Sequence, residues 1–335
     1  MTGGADDDSV LGEGHVALVT GSTSGIGAET ARNLAATGAT VLVHGRDRAA
    51  GEALVADLPG GGHAVYAADY TDFDEVRELA DAVLTDFDRL DCLVNNAGTW
   101  QGERRLVDVP GSDEGVEMTV AVNHLATFLL TNLLADRLAA TGERRAAERG
   151  GRGERDAGAA DSAVDPARVV TVSSDLHRRA EPDLDAATGD GGPSGVAAYG
   201  FSKLANVLFT YELARRLPAG VTANCCHPGV SPSTDLSRDG SSLAGLGWKL
   251  FGVVGRLTGT VDTAAESAET QTYLATAPDV TGVSGEYFDD CEAVRSAEAT
   301  YDRDAQRTLW RASVEWLDLD DGEVVGADGE RAPEA

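Results

Sequence analysis

Lysine is nearly absent from this chain. It has 27 basic residues, and only Lys203 and Lys249 among them are lysines; the rest are arginines. Positive charge of any kind is scarce, because 56 acids leave a net charge of −29. A surface of that sign repels nucleic acid and anionic membrane, and both are excluded as expected partners. Acidity with so little lysine is the composition of a protein adapted to high salt, where screening suppresses self-repulsion. Cysteine is sparse too. The four residues Cys92, Cys225, Cys226 and Cys291 form no C-x-x-C pair, and the first three sit in apolar, strand-like runs. That excludes a disulfide scaffold and points to buried thiols in a reducing compartment. No signal peptide is legible in the acidic start "MTGGADDDSV", so a cytoplasmic location is expected. Long apolar runs are missing as well. One stretch without formal charge, 118–135, contains Thr119, Asn123, His124, Thr127, Thr131 and Asn132, which suits a buried helix better than a bilayer span.

What remains is regular alternation. Strand-like runs at 15–20, 40–45, 63–69, 91–98, 167–174 and 220–229 alternate with helical periods at 27–38, 47–58, 72–87, 113–140 and 196–217. Such βαβα order predicts an α/β fold, a Rossmann-like doubly wound parallel sheet with helices on both faces and right-handed crossovers. We read one domain over 14–318. It is flanked by a flexible acidic N-terminus, 1–13, and an acidic flexible tail, 319–335. The segment 142–167 is rich in Gly, Ala and charge without apolar period, and is read as a solvated insertion.

"TGSTSGIG" (20–27) follows the first strand and opens the first helix. Glycines at 21, 25 and 27 permit close approach of a ligand, and the helix start offers N–H groups to phosphate, so Gly21, Ser22, Thr23, Ser24, Gly25, Ile26 and Gly27 form a candidate dinucleotide loop. At the end of the second strand, "HGRD", Gly45 stands where a carboxylate would favour NAD, and Arg46 follows. A guanidinium can grip a 2′-phosphate, so NADP(H) is favoured with NAD(H) possible. Asp47 beside it is the feature that could neutralise Arg46. In "YGFSK" (199–203) Tyr199 precedes Lys203 by four residues, on one helix face. A phenol titrates near 10. A neighbouring ammonium lowers that value and makes Tyr199 a candidate proton donor, a task for which arginine's planar fork is a poor substitute.

Together "TGSTSGIG", "NNAG" (95–98) and Tyr199-x-x-x-Lys203 resemble the short-chain dehydrogenase/reductase family, over about residues 15–315. "VVTVSSDLH", "AYGFSKLANVLFTYELARRL", "HPGV" and "GVSGEYFDDC" look like its retinol dehydrogenase-like branch, which includes the oxidoreductase domain of WW-domain oxidoreductases. The resemblance implies a catalytic set of Asn123, Ser174, Tyr199 and Lys203, with Ser173 a lesser candidate for the serine. Asn123 would order a water in a relay to Lys203, and Lys203 would also hold the nicotinamide ribose. By the same likeness Asp69, with Tyr70 beside it, would meet the adenine. Asn96, Ala97 and Gly98 would lie by the adenosine ribose, and Pro228, Gly229 and Val230 by the nicotinamide amide. The contact of Ser233 or Thr234 with the pyrophosphate stays open. The substrate should bind at 231–260, which is apolar around Trp248, Leu250 and Phe251; a small apolar carbonyl or alcohol is expected. His177 and His227 have no ligand partners at useful spacing and are read as structural, so no metal is expected. A homo-oligomer is compatible with all of this. The implied function is an NADP-dependent oxidoreductase. Two rivals are an NAD-dependent dehydrogenase of the same family and a non-catalytic dinucleotide-binding regulator.

The charge excess makes one prediction by itself. Raising KCl shortens the Debye length from about 10 Å near 0.1 M to about 3 Å at 1 M. The melting temperature should therefore rise across that range. A flat or falling curve would show that self-repulsion does not govern this fold.

Overall fold

The structure, a computed structural model, describes residues 9–151, 165–189, 191–229 and 262–326. Strands β1 (Val16–Val19), β2 (Thr40–Gly45), β3 (Ala64–Ala67) and β4 (Cys92–Asn95) are followed by a hairpin, β5 (Leu106–Val109) and β6 (Ser112–Glu117). Then come β7 (Ala167–Val172), β8 (Val221–Cys226), β9 (Tyr287–Asp289) and β10 (Glu292–Ala293). The helices are α1 (Gly25–Ala36), α2 (Arg48–Asp57) and α3 (Phe73–Asp86). A long α4 starts at Met118–Val120, passes through a π-helical turn at Ala121–Leu125 and continues as Ala126–Gly151. The last three are α5 (Val196–Arg216), α6 (Ala264–Thr276) and α7 (Arg303–Trp316).

The main sheet runs β10-β9-β8-β7-β4-β1-β2-β3, parallel throughout except for the β9–β10 pair. Strands β1, β4, β7 and β8 are buried along their whole length, which is why they read as continuous apolar runs rather than alternating ones. Ala17 and Val19 of β1 face one core, with Leu34 of α1 and Leu274 of α6. Leu18 faces the other, with Val76 of α3, Leu129 of α4 and Phe209 of α5. The strand order reverses between β1 and β4, so a crevice opens there at the carboxyl ends of the strands.

Four expectations are revised. Helix α4 begins at Met118, not Asp113, because Ser112–Glu117 pairs with Leu106–Val109 as a hairpin. The buried Glu117 caps the helix, accepting from the Thr119 and Val120 amides at 2.7 and 3.1 Å. Helix α4 also extends to Gly151 and so takes in the first ten residues of the supposed insertion. The cause is Arg145, buried, whose guanidinium donates to the carbonyls of Pro166 and Val10 and faces Asp91 at 3.4 Å. Residues 9–13 are not loose, since Leu11 is buried and the Val10 amide donates to Thr276. The first part of the tail docks as well: Val324 and Val325 pack on the core, and the Val325 amide donates to Asn132. The centre of the insertion and all of 231–260 lie outside the described residues. The apolar window of Met118–Glu148 is long enough to cross a membrane, but 83% of it is buried inside the fold.

Asp91 is the polar centre under β1 and β4. It is fully buried and accepts from the Val16 amide at 2.9 Å and from Arg89 at 2.6 and 2.8 Å, with Arg145 beside it. Removing this carboxylate leaves guanidinium charge buried without its counter-ion, which costs about 3–5 kcal/mol. Asp91→Ala should lose that much in denaturant unfolding; a loss under about 1 kcal/mol would mean the pair behaves as a surface one.

Candidate active site

Every predicted site residue that the structure describes follows the carboxyl end of a strand or sits on a helix facing those ends. Most of them line one cavity of about 380 Å³, with Ser22, Asn123, Ser174 and Gly229 off its wall. Gly21, Thr23, Ser24, Gly25, Ile26 and Gly27 form one wall, with Arg46, Asp69, Tyr70, Asn96, Ala97 and Gly98 along it. Ser173, Tyr199, Lys203 and Pro228 close the far end. Gly229 follows Pro228 at φ +75°, and Val230 lies outside the described residues.

The glycine loop is built by exclusion. A Cβ on Gly21, at φ +63°, would stand 2.7 Å from the Ala97 Cα, and one on Gly27 would stand 2.9 Å from the Ser22 Cα. Thr20 ties the loop to β4, its hydroxyl accepting from the Asn96 and Ala97 amides at 3.0 Å each. The Asn96 side chain donates back to the Thr20 carbonyl at 2.8 Å. Asn96 thus holds the loop with its amide group. Ser22 departs from expectation. Its hydroxyl donates to the Val19 carbonyl and its amide to the His44 carbonyl, so it turns inward, away from the cavity. Helix α1 starts at Ser24 without a side-chain cap, whereas Asp47, Asp72, Thr263 and Asp302 cap α2, α3, α6 and α7. The α1 start therefore turns N–H groups and dipole toward the cavity. This cradle fits a dinucleotide pyrophosphate.

His44 was not singled out in the sequence. It is buried with its ring on Tyr70, centroids 4.7 Å apart. Its Nε2 faces the Ala68 carbonyl at 3.3 Å, while its Nδ1 accepts from the Gly21 amide at 3.3 Å. One nitrogen must donate and the other accept, so the ring is neutral, and burial pushes its pKa down to about 4. The only sequence signal was a histidine in an apolar strand next to "GR". Asp47 does not neutralise Arg46; it caps α2 by accepting from the Ala50 amide at 3.0 Å. Arg46 instead pairs with Asp69 at 3.6 Å, both side chains well exposed. A Cβ on Gly45 would stand 2.6 Å from the Thr23 methyl, so Thr23 fills the space of any carboxylate there.

At the catalytic end, Gly200 lets helix α5 lie against the turn that follows β7; a Cβ there would meet the Leu176 carbonyl at 3.2 Å. The Lys203 ammonium donates to the Val172 carbonyl at 2.9 Å, and the Ser173 hydroxyl donates to the Lys203 carbonyl at 2.9 Å. Ser173 is thereby committed to the backbone. Ser174, partly exposed, caps the turn Asp175–Arg179 through the Leu176 amide and faces Tyr199. The Asn123 side chain donates to the Thr99 carbonyl and the Ser202 hydroxyl and accepts from the Thr99 amide at 2.6 Å. It sits in the π turn of α4 and clamps the "NNAG" turn to α5. One lone pair of its Oδ1 remains for a relay water. The Gly98 backbone passes close to both groups: a Cβ there would lie 3.4 Å from that oxygen and 3.5 Å from the Lys203 nitrogen, in ordinary contact with each.

Lys203 does not lower the Tyr199 pKa in this arrangement. Its nitrogen lies 5.6 Å from the ring centroid, over the ring rather than at the oxygen. Burial raises Tyr199 to about 12, with the Ser174 hydroxyl working in the opposite direction. Burial lowers Lys203 to about 8. His177 is structural as expected: its Nδ1 faces the Ser174 carbonyl at 2.7 Å and its Nε2 accepts from the Ala297 amide at 3.0 Å. His227, partly buried, has no hydrogen-bond partner for its Nδ1 among the described residues. No cluster of three or more His, Cys, Asp or Glu among the described residues is arranged to hold a metal. The cavity wall also includes Thr99, Gln101, Arg105, Met118 and Val122, none of which stood out in the sequence.

Residues 15–147 match the family model for short chain dehydrogenases. Human retinol dehydrogenase 12 is 36% identical over 325 residues, covering 95% of this chain and 91% of that protein. Human retinol dehydrogenase 13 is 33% identical, covering 96% and 89%. Among solved structures, an uncharacterised protein of Mycobacterium paratuberculosis superposes with a TM-score of 0.66 at 28% identity, covering 93% of this chain and 97% of that one.

A lysine held at about 8 has a direct readout here, because Lys249 is the only other lysine in the chain. Acylation across pH, followed by peptide mass spectrometry, should show Lys203 reacting with a midpoint near 8. An ordinary lysine titrates near 10.4. A Lys203 midpoint at that ordinary value would remove the desolvation argument.

Proposed function

This chain belongs to the short chain dehydrogenase family, and from that premise we propose that it uses NADP(H), with Tyr199 as the proton-transferring acid and base. Family and relatives make it an NAD(P)-dependent oxidoreductase acting on CH–OH groups. The observation that carries the finer reading is that Tyr199 and Lys203 line one cavity with the glycine loop. Chain segments far apart in sequence converge there at the carboxyl ends of the strands.

When bound, the nicotinamide gives or takes the hydride. The protein does the rest. The amides at the start of α1 hold the pyrophosphate. The Lys203 ammonium, already within reach of the Val172 carbonyl, donates to ribose hydroxyls. Ser174 donates to the substrate oxygen. Tyr199, protonated throughout the neutral range, delivers its proton to that oxygen as a carbonyl is reduced. A phenol at about 12 beside an ammonium at about 8 favours the reductive direction below pH 8. Above that pH Lys203 loses its charge, and the reductive rate should decline.

NADP is favoured over NAD at the end of β2. Thr23 occupies the place of a ribose-binding carboxylate, and Arg46 is exposed beside it. The Arg46–Asp69 pair is a surface pair, worth about 0–1 kcal/mol, and yields readily to a phosphate. The named activity of the relatives supports a substrate with an apolar body, as retinol has. The four cysteines all stand free, which supports a reducing, cytoplasmic setting.

The test is cofactor affinity by fluorescence alongside turnover. Tyr199→Phe should bind NADPH normally and lose turnover by about 10²–10⁴-fold. Lys203→Arg should lose both, since the guanidinium cannot take the ammonium's place. Arg46→Ala should weaken NADPH by about tenfold or more and spare NADH. Native turnover in Lys203→Arg, or equal loss of both cofactors in Arg46→Ala, would overturn the corresponding assignment.

A further inference from the structure

Two arginines line the cavity, Arg46 and Arg105. Arg46 has a carboxylate partner in Asp69. Arg105 has neither an ion pair nor a side-chain hydrogen bond among the described residues, in a chain where acids outnumber bases two to one. Its position follows from the hairpin. The Met118 amide donates to the Arg105 carbonyl, which continues the β5–β6 ladder by one residue. Neighbours along such a chain point to opposite faces. Arg104 points one way, and its guanidinium is spent on the carbonyls of Thr188, Gly189 and Pro193. Arg105 points the other way, into the cavity, on the same side as Val107 rather than Asp108. Met118, Val122 and Gln101 line the same cavity, the Gln101 amide donating to the Thr99 hydroxyl at 3.2 Å.

Resting on the oxidoreductase reading above, we propose that Arg105 determines substrate specificity by binding a carboxylate at one end of an otherwise apolar carbonyl or alcohol. Apolar side chains, Met118 and Val122, on the same lining as one unpaired guanidinium match an amphiphile, not a wholly apolar molecule. A planar fork takes a carboxylate through two parallel hydrogen bonds. Lone positive charge also has a specific use here. The net charge of −29 repels any anionic substrate from the surface, so an anion enters only where a local cation overrides that field. A phosphate dianion would call for a second cation, and at this end of the cavity Lys203 is already committed. Arg105 touches no reacting atom in this scheme; it holds the far end of the substrate while Tyr199 and Ser174 meet the oxygen.

The experiment uses matched pairs that differ only in charge: para-formylbenzoate against its methyl ester, and levulinate against its methyl ester. Wild type should prefer the acid of each pair in kcat/KM. Arg105→Gln should abolish that preference, by about 10- to 100-fold on the acid, with the ester unchanged. Arg105→Lys should retain part of it. The side chain is exposed, so folding should be unaffected, and melting curves check this. NADPH affinity is measured in each variant. If Arg105→Gln weakens NADPH, the residue reads the cofactor, and the proposal is overturned. Equal effects on acid and ester overturn it as well, while leaving the oxidoreductase reading intact. Calorimetric binding of the acids separates the two claims: acids that bind wild type and not Arg105→Gln, without turnover of any pair, would support Arg105 and sink the catalytic reading.

Discussion

The site depends on the close approach of α5 to the end of β7. Two hydrogen bonds fix it: the Lys203 ammonium to the Val172 carbonyl, and the Ser173 hydroxyl to the Lys203 carbonyl. They run in opposite directions between the same two elements. Neither forms unless the helix comes near the strand end, and Gly200 leaves room for the Leu176 carbonyl in the turn that follows the strand. Once they are made, the rest of "YGFSK" is placed. Tyr199 stands by Ser174, and Ser202 receives the Asn123 amide and so anchors the "NNAG" turn. Tyr199, Gly200, Ser202 and Lys203 are each used for a different physical reason, and Phe201 packs into the core.

The scarcity of lysine becomes intelligible against the work the arginines do. Arg104 reaches three carbonyls, Arg145 two carbonyls and a carboxylate, and Arg168 two carbonyls and the Thr281 hydroxyl. These are buried or half-buried junctions between elements, and a planar fork with five donors satisfies several acceptors at once. An ammonium in those places would leave carbonyls unpaired. At Lys203 the demand is reversed. The group must be compact, fit beside Gly98, and carry a proton it can lose; burial brings it to about 8, far below anything a guanidinium reaches. Arginine at those three junctions and lysine at 203 thus each follow from the local geometry.

Much of this was legible in the sequence, for identifiable reasons. Strands buried on both faces wrote themselves as apolar runs, and the glycine loop was marked by positions where any Cβ collides. What escaped was decided by partners distant in the chain. The first turn of α4 was misplaced because Ser112–Glu117 looks helical in charge pattern, and only its pairing with Leu106–Val109 makes it a strand. The segment from Gly142 looked solvated because Arg145 reads as surface charge until Asp91, 54 positions earlier, is seen beneath it. Ser22 reads as a phosphate ligand in a motif of that shape, yet its hydroxyl is taken by Val19. His44 had no motif at all; its role arises from Gly21 on one side and Ala68 on the other.

The electrostatics of Tyr199 and Lys203 correct a simpler idea, that the lysine acts by pulling the phenol's pKa down. In water a phenol and an ammonium have nearly the same pKa. Burial separates them in opposite directions, because it penalises whichever form is charged: the phenolate for tyrosine, the ammonium for lysine. The ammonium becomes the stronger acid of the two. A proton therefore stays on Tyr199 as long as the site is dry, and it leaves only toward an oxygen that is itself gaining negative charge. Reduction of a carbonyl creates such an oxygen. The Ser174 hydroxyl at the phenol works against burial and eases loss of that proton. The helix spacing brings Tyr199 and Lys203 together, but desolvation by burial sets their order of acidity, and the four-residue spacing could not have revealed it.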